Sequence, residues 1–175
     1  MRLFSLLTIL ALGLAACSTT GGYSGAKQYK ISSNATNKIQ FRVLDSINAL
    51  RQASGAVPVE FNAQLNAAAA THSRDMSLQN RPWHFGSDGS SPLDRVKRVG
   101  YSGELTGETI SETYETEMET LAAWMEQPDT RSVLLDPNAR DIGFAWFQEQ
   151  NGKIWWTLIM GAPTYATTDI ANFDG

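Results

Sequence analysis

The 175-residue sequence predicts an α+β fold, an α-β-α sandwich with a central antiparallel sheet between helical layers. Three observations predict it. Apolar residues recur at helical spacing through most of the chain, the period changes to β-rich runs in the C-terminal third, and both faces of those runs are apolar. A sheet apolar on both faces needs cover on both sides.

The first helix is expected from about Asn37 to Ser54, where Ile39, Val43, Ile47 and Leu50 form one stripe, Thr36 can cap the start and Gly55 stops it. Asn62 can cap a second helix that carries Leu65, Ala69, His72 and Met76 on one face. A short third helix follows Ser91, with Pro92 at its first position and Gly100 at its end. A fourth is expected from near Ser111, with Met118, Leu121, Ala122 and Met125 on one face and Pro128 as its limit. The runs from Ile142 to Gln148 and from Ile154 to Met160 flank Asn151-Gly152, which favours a two-residue type I′ hairpin. That turn would set Trp146 opposite Thr157 and Phe144 opposite Ile159 on one face, with Phe147 opposite Trp156 and Ala145 opposite Leu158 on the other.

Composition narrows the function. The formal net charge of −4 gives no footprint for nucleic acid. Between Val99 and Thr130 there is no Lys or Arg, while Glu104, Glu108, Glu112, Glu115, Glu117, Glu119 and Glu126 all occur there, a pattern that reads as a solvated helix face in preference to an acidic docking surface. The protein partners, if any, are not specified by such a face.

The N-terminus reads as an export signal. Arg2 precedes an apolar stretch from Leu3 to Ala16, too short for a helix to cross roughly 30 Å of hydrocarbon. It ends in Leu14-Ala15-Ala16-Cys17, which resembles the cleavage site of a bacterial lipoprotein. That resemblance implies acylation of Cys17, of the palmitate type, and cleavage after Ala16. The partner would then be a membrane, held through lipid on Cys17, in the bacterial cell envelope. Ser18 resembles an outer-membrane address, facing the periplasm or the exterior. Cys17 is also the only cysteine, so a lipidated chain has no internal disulfide. Residues 1–16 are thus expected to be signal peptide, 17–35 a lipidated Cys and flexible tether, 36–163 the domain and 164–175 a tail.

A longer pattern runs through the domain. It comprises the stretch from His84-Phe85-Gly86-Ser87-Asp88-Gly89 to Pro92-Leu93-Asp94-Arg95, then Gly100-Tyr101, Gly107-Glu108-Thr109, Trp124, Arg131, Leu134-Leu135-Asp136-Pro137 and Ile142-Gly143. In order and spacing these resemble the bacterial branch of the CAP superfamily of cysteine-rich secretory, antigen 5 and pathogenesis-related proteins, over about Thr36 to Pro163. The resemblance implies an α-β-α sandwich with a surface cleft where many members carry two His and two Glu, sometimes with a divalent metal. His84 stands at the first His position and Glu108 at the first Glu, followed by Thr109 where the family has Asn. Gln127 stands at the second Glu position and Thr130 at the second His position. With two of four ligands replaced, the expectation is no metal and no cofactor.

The cleft candidates are therefore His84, Glu108, Gln127 and Thr130, with Ser87 and Asp88 beside them. His84 and Glu108 are the candidates for any acid-base catalysis, and they are expected to bond each other directly or through one water. His72 lies on an apolar stripe and reads as a core or cleft-wall residue. A Ser-His-Asp triad lacks a Gly-x-Ser-x-Gly elbow, and Ser91 is better explained as a helix cap. Three functions stay open: an envelope module binding a small molecule, lipid or cell-wall fragment; a hydrolase using His84 and Glu108; and a non-catalytic scaffold. The missing second His favours the first and third over an enzyme.

The lipoprotein reading makes a direct prediction. Cys17→Ser is expected to leave the precursor unlipidated or uncleaved and to reduce the fraction that stays with membranes through a high-salt wash. Full retention on membranes after that wash would refute the anchor.

Overall fold

The computed structural model describes residues 29–164; the expected signal peptide, Cys17, most of the expected tether and all but the first residue of the expected tail lie outside them. The elements run α1 (Thr36–Ala53), β1 (Glu60–Phe61), α2 (Ala63–Gln79), α3 (Pro92–Arg98), β2 (Glu104–Thr113), α4 (Glu117–Glu126), α5 (Pro128–Leu134), β3 (Asp141–Gln148) and β4 (Ile154–Ala162). The four strands form one sheet in the order β1-β3-β4-β2. It is antiparallel except at one edge, where the two residues of β1 run parallel to the start of β3.

The sheet lies between two helical layers. On one face Ile39, Val43 and Ile47 of α1, Leu121 and Trp124 of α4 and Leu134 of α5 pack against Phe144, Trp156, Leu158 and Met160. On the other, Leu65, Ala68 and Ala69 of α2 and Val96 of α3 pack against Ala145 and Ile159. Gly143 lets α2 come this close, since a Cβ there would sit 2.2 Å from the backbone carbon of Leu65. Arg51, fully buried, donates to the carbonyls of Val57, Leu134 and Ala139, tying the end of α1 to the segment between α5 and β3.

Most helix boundaries follow from their caps. Asn62 Oδ1 accepts from the backbone N–H of Gln64 and Leu65. Ser91 and Asp94 form a capping box at the start of α3. The structure corrects the start of α1, whose N-cap is Ala35 with no side-chain bond, so Thr36 is its first helical residue rather than its cap.

The fourth helix is corrected further. The stretch expected to open it is strand β2, and α4 starts at Glu117 behind a Thr116–Glu119 capping box. The Thr-x-x-Glu signal lay five residues beyond Ser111, and the preceding segment carries Thr106, Thr109, Ile110 and Thr113, β-branched residues that suit a strand. The run of glutamates is consequently divided between a strand and a helix and is not one solvated face. Glu108 and Glu117 are buried and ion-paired, Glu117 to Arg42 at 2.6 Å. Pro128 ends α4 and opens a helix not anticipated, α5.

The hairpin is corrected by one residue. Only Gly152 of the Asn151-Gly152 pair has positive φ, and Glu149 N–H donates to Lys153 O. The loop thus has three residues, a type I turn closed by a left-handed glycine, where a type I′ turn needs Asn151 left-handed as well. Trp146 now pairs with Trp156, Phe144 with Leu158, Ala145 with Thr157 and Phe147 with Trp155. The shift gathers the aromatics on the α1 face, where Phe144 and Trp156 stack at 5.5 Å.

At the end of the expected tether, Tyr29 and Ile31 are bonded to the domain. Gln148 donates to Tyr29 O and accepts from Ile31 N–H, while Tyr29 Oη donates to Glu117. Burial and that carboxylate push the Tyr29 hydroxyl up to about 12.

Candidate functional site

Glu108 pairs with Ile159 across the sheet, and that register turns its side chain toward the α2–α3 layer. A carboxylate there needs a partner, since ionisation inside a protein is costly without one. Arg95, an inward position of α3, supplies it: Nη2 donates to Oε1 at 2.9 Å and to Oε2 at 2.7 Å. The other fork of the guanidinium, Nη1, donates to the carbonyls of His84 and Ser90. Arg95 therefore holds the carboxylate and the His84 loop together.

His84 completes the arrangement from the solvent side. Its Nδ1 lies 2.8 Å from Glu108 Oε1, and its side chain is 50% exposed while that of Glu108 is 2% exposed. An ionised Glu108 can only accept, so Nδ1 carries the hydrogen, and Nε2 is left without a hydrogen-bond partner among the described residues. Behind them lies His72, fully buried, with Nε2 3.8 Å from the same Oε1 and neither ring nitrogen in a well-aligned hydrogen bond among the described residues. Burial pushes the His72 imidazole below its ordinary value, and Glu108 only partly opposes this.

The other sequence candidates are placed differently. Ser87 Oγ and N–H both donate to Asp75, and Asp88 accepts from Ser90 N–H and from Arg98. The Ser90 bonds, followed by Arg98, hold the Asp88 carboxyl well below the usual carboxylate range. These residues shape the loop after His84 and line a cavity of about 170 Å³ with Arg95 and Arg98. No hydroxyl among the described residues bonds His84, so no serine nucleophile is assembled there.

Gln127 and Thr130 are joined to neither His84 nor Glu108 by a hydrogen bond or ion pair among the described residues. Gln127 is exposed at the junction of α4 and α5. Thr130 Oγ1 donates back to Trp124 O at 2.5 Å. Strand alternation sends the neighbours of Glu108 the opposite way: a Cβ on Gly107 would lie 2.7 Å from Val133 of α5.

A divalent ion does not fit this donor set. Both oxygens of Glu108 are engaged by a guanidinium, and no three His, Cys, Asp or Glu side chains among the described residues converge as ligands.

The layered sheet and the His–Glu pair at its edge define a CAP-type domain. The family model for the cysteine-rich secretory protein family, CAP, matches residues 44–160, and the chain belongs to that family. It is 32% identical over 120 residues to the uncharacterized protein YkwD of Bacillus subtilis (strain 168), covering 69% of this chain and 46% of that protein. The chain thus spans about half the length of that curated relative. Among solved structures it shares its fold with an outer surface protein from Borrelia burgdorferi (TM-score 0.68, 18% identity, 78% of this chain and 98% of that one). It also resembles an extracellular SCP-domain protein from Bacillus anthracis str. Ames (TM-score 0.65, 19% identity, 75% and 44% covered).

The buried pair and the buried histidine each set a stability prediction. Glu108→Ala leaves the Arg95 charge buried without its partner and costs about 3–5 kcal/mol, whereas His84→Ala, at a half-exposed site, costs about 1 kcal/mol or less. Urea denaturation of both variants measures the difference. His72, whose folded value is depressed, binds a proton more readily unfolded than folded. Its contribution is fully present above the unfolded value of about 6.5 and is lost as pH falls toward the depressed folded value. His72→Gln accordingly flattens the decline of stability below that pH, measured by urea midpoints across a pH series.

Proposed function

We propose that the chain is an exported lipoprotein of the bacterial envelope, anchored at the outer membrane through lipid on Cys17. Its CAP domain holds a small molecule, lipid or cell-wall fragment against His84. The observation carrying the ligand reading is a half-exposed imidazole whose Nδ1 is fixed on a buried carboxylate and whose Nε2 has no partner among the described residues. Glu108 orients the ring and makes Nε2 the better acceptor, while Arg95 holds both Glu108 oxygens in place. A ligand hydroxyl or amide N–H would donate to Nε2.

Support for the envelope setting comes from the export signal and from the relatives described as outer surface or extracellular proteins. Among the described residues no helix is long and apolar enough to cross a membrane.

The same Nε2 could take a proton from water, which is what a hydrolase reading requires. Titrating the ¹⁵N-labelled protein with soluble muropeptides and with a short-chain phospholipid separates these readings. One probe is expected to shift the His84 ring resonances saturably and to remain intact on incubation. Release of products, abolished in His84→Ala, would replace binding by hydrolysis. No saturable shift with either probe would overturn the ligand reading in favour of a scaffold.

A further inference from the structure

Strand β1 covers only the first two residues of β3, so the outer edge of β3 is open from Gly143 onward. Open strand edges leave backbone N–H and C=O groups in need of partners. At Phe144 two side chains supply them. Phe144 N–H donates to Asn66 Oδ1 at 3.2 Å, and Gln40 Nε2 donates both to Phe144 O and to Asn66 Oδ1, each at 2.9 Å.

These bonds fix both amides. Gln40 must turn its nitrogen to the Phe144 carbonyl, and Asn66 must turn its oxygen to the Phe144 N–H. The other half of each amide is then predetermined: Gln40 Oε1 is an acceptor and Asn66 Nδ2 a donor, neither with a partner among the described residues. Antiparallel alternation turns the Trp146 backbone to this same outer side.

A cavity of about 220 Å³ lies here, lined by Thr36, Gln40, Asn66, Ala70, Ala145 and Trp146. Trp146 is half-buried and braced against Phe144 and Trp156, with ring centroids 5.9 and 5.6 Å away. Its indole N–H has no partner among the described residues either. No ionisable side chain lines the cavity.

We propose that this cavity is a subsite for a neutral N-acetylated sugar, independent of the His84 cleft. An acetamido group presents one N–H and one carbonyl together, which matches the fixed Gln40 acceptor and Asn66 donor. Its methyl suits Ala70 and Ala145, and the sugar ring has a C–H face suited to an indole. A charged ligand would find no counter-charge here. An extended peptide, the other natural occupant of a strand edge, would have to pass Thr36 of α1 and Ala70 of α2, which line the cavity on either side.

The test uses the ¹⁵N-labelled full-length protein with free N-acetylglucosamine, glucose and tetra-alanine as probes. N-acetylglucosamine is expected to shift the Trp146 indole and Asn66 side-chain amide resonances saturably, with Kd on the order of 1 mM. Glucose, lacking the acetamido group, binds about tenfold more weakly. Asn66→Asp keeps the oxygen that serves Phe144 and Gln40 while removing the outward donor, and Ala70→Leu fills the cavity from an exposed helix position. Each is expected to weaken binding about tenfold or more, and Ala70→Leu decides if Asn66→Asp fails to fold. No saturable shift in folded protein, unchanged affinity in Ala70→Leu, or equal shifts with tetra-alanine would each overturn the proposal, the last by making the edge a peptide site.

Discussion

An ionised carboxylate with 2% of its side chain exposed depends on what surrounds it, and Glu108 has Arg95. One guanidinium satisfies both carboxylate oxygens and two loop carbonyls, which fastens β2, α3 and the His84 loop into one unit. The desolvation of two charges offsets much of their attraction, so the pair is better understood as a positional device than as a source of net stability. Its geometric result is an imidazole held by Nδ1 from beneath and presented by Nε2 to solvent. Arg51 does a parallel job in the other layer, with three carbonyls in place of a carboxylate. Each helical layer thus holds a buried arginine: Arg95 joins α3 to strand β2, and Arg51 joins α1 to α5 and to the segment that leads into β3.

How much of this was legible in the sequence depended on whether the deciding signal was local. The caps Asn62 and Ser91 and the stop at Gly55 are local, and the first three helices lie where such signals put them. The hairpin register was not legible, because Asn-Gly suits type I′ but does not compel Asn151 to positive φ, and a single residue in the loop moves every cross-strand pair. Strand β2 was hidden by its glutamates, which read as a helix surface until their separate partners are seen. The pairing of His84 with Glu108 was expected from the family resemblance. Arg95 stood in the same quoted stretch, yet nothing local distinguishes a buried arginine from the exposed Lys97 and Arg98 beside it. Only the register of β2, with Glu108 turned toward α3, identifies the arginine that is needed.

The order β1-β3-β4-β2 also decides where chemistry can be placed. Strand β4 is buried along nearly its whole length, its residues from Ile154 to Gly161 all shielded from solvent. A strand covered on both faces and paired on both edges has no polar group to spare. Function is left to the two sheet edges. At one edge β2 brings Glu108 to the loop carrying His84. At the other, β1 stops after two residues, and side chains from α1 and α2 must finish its hydrogen bonding to β3.

The two edges solve the same problem with different groups, and the difference sets what each can recognise. At β2 the buried group is charged, so its partners are charged or proton-bearing, and the exposed end is an imidazole. At β3 the groups to be satisfied are a neutral N–H and C=O, so neutral amides suffice, and what they turn outward is again a neutral donor and acceptor beside an aromatic ring. An amide has only two ends: once one end is committed to the backbone, the other is fixed in direction and kind. The binding character of this second edge is therefore a by-product of closing the sheet, and it needs no residue beyond those the fold already uses.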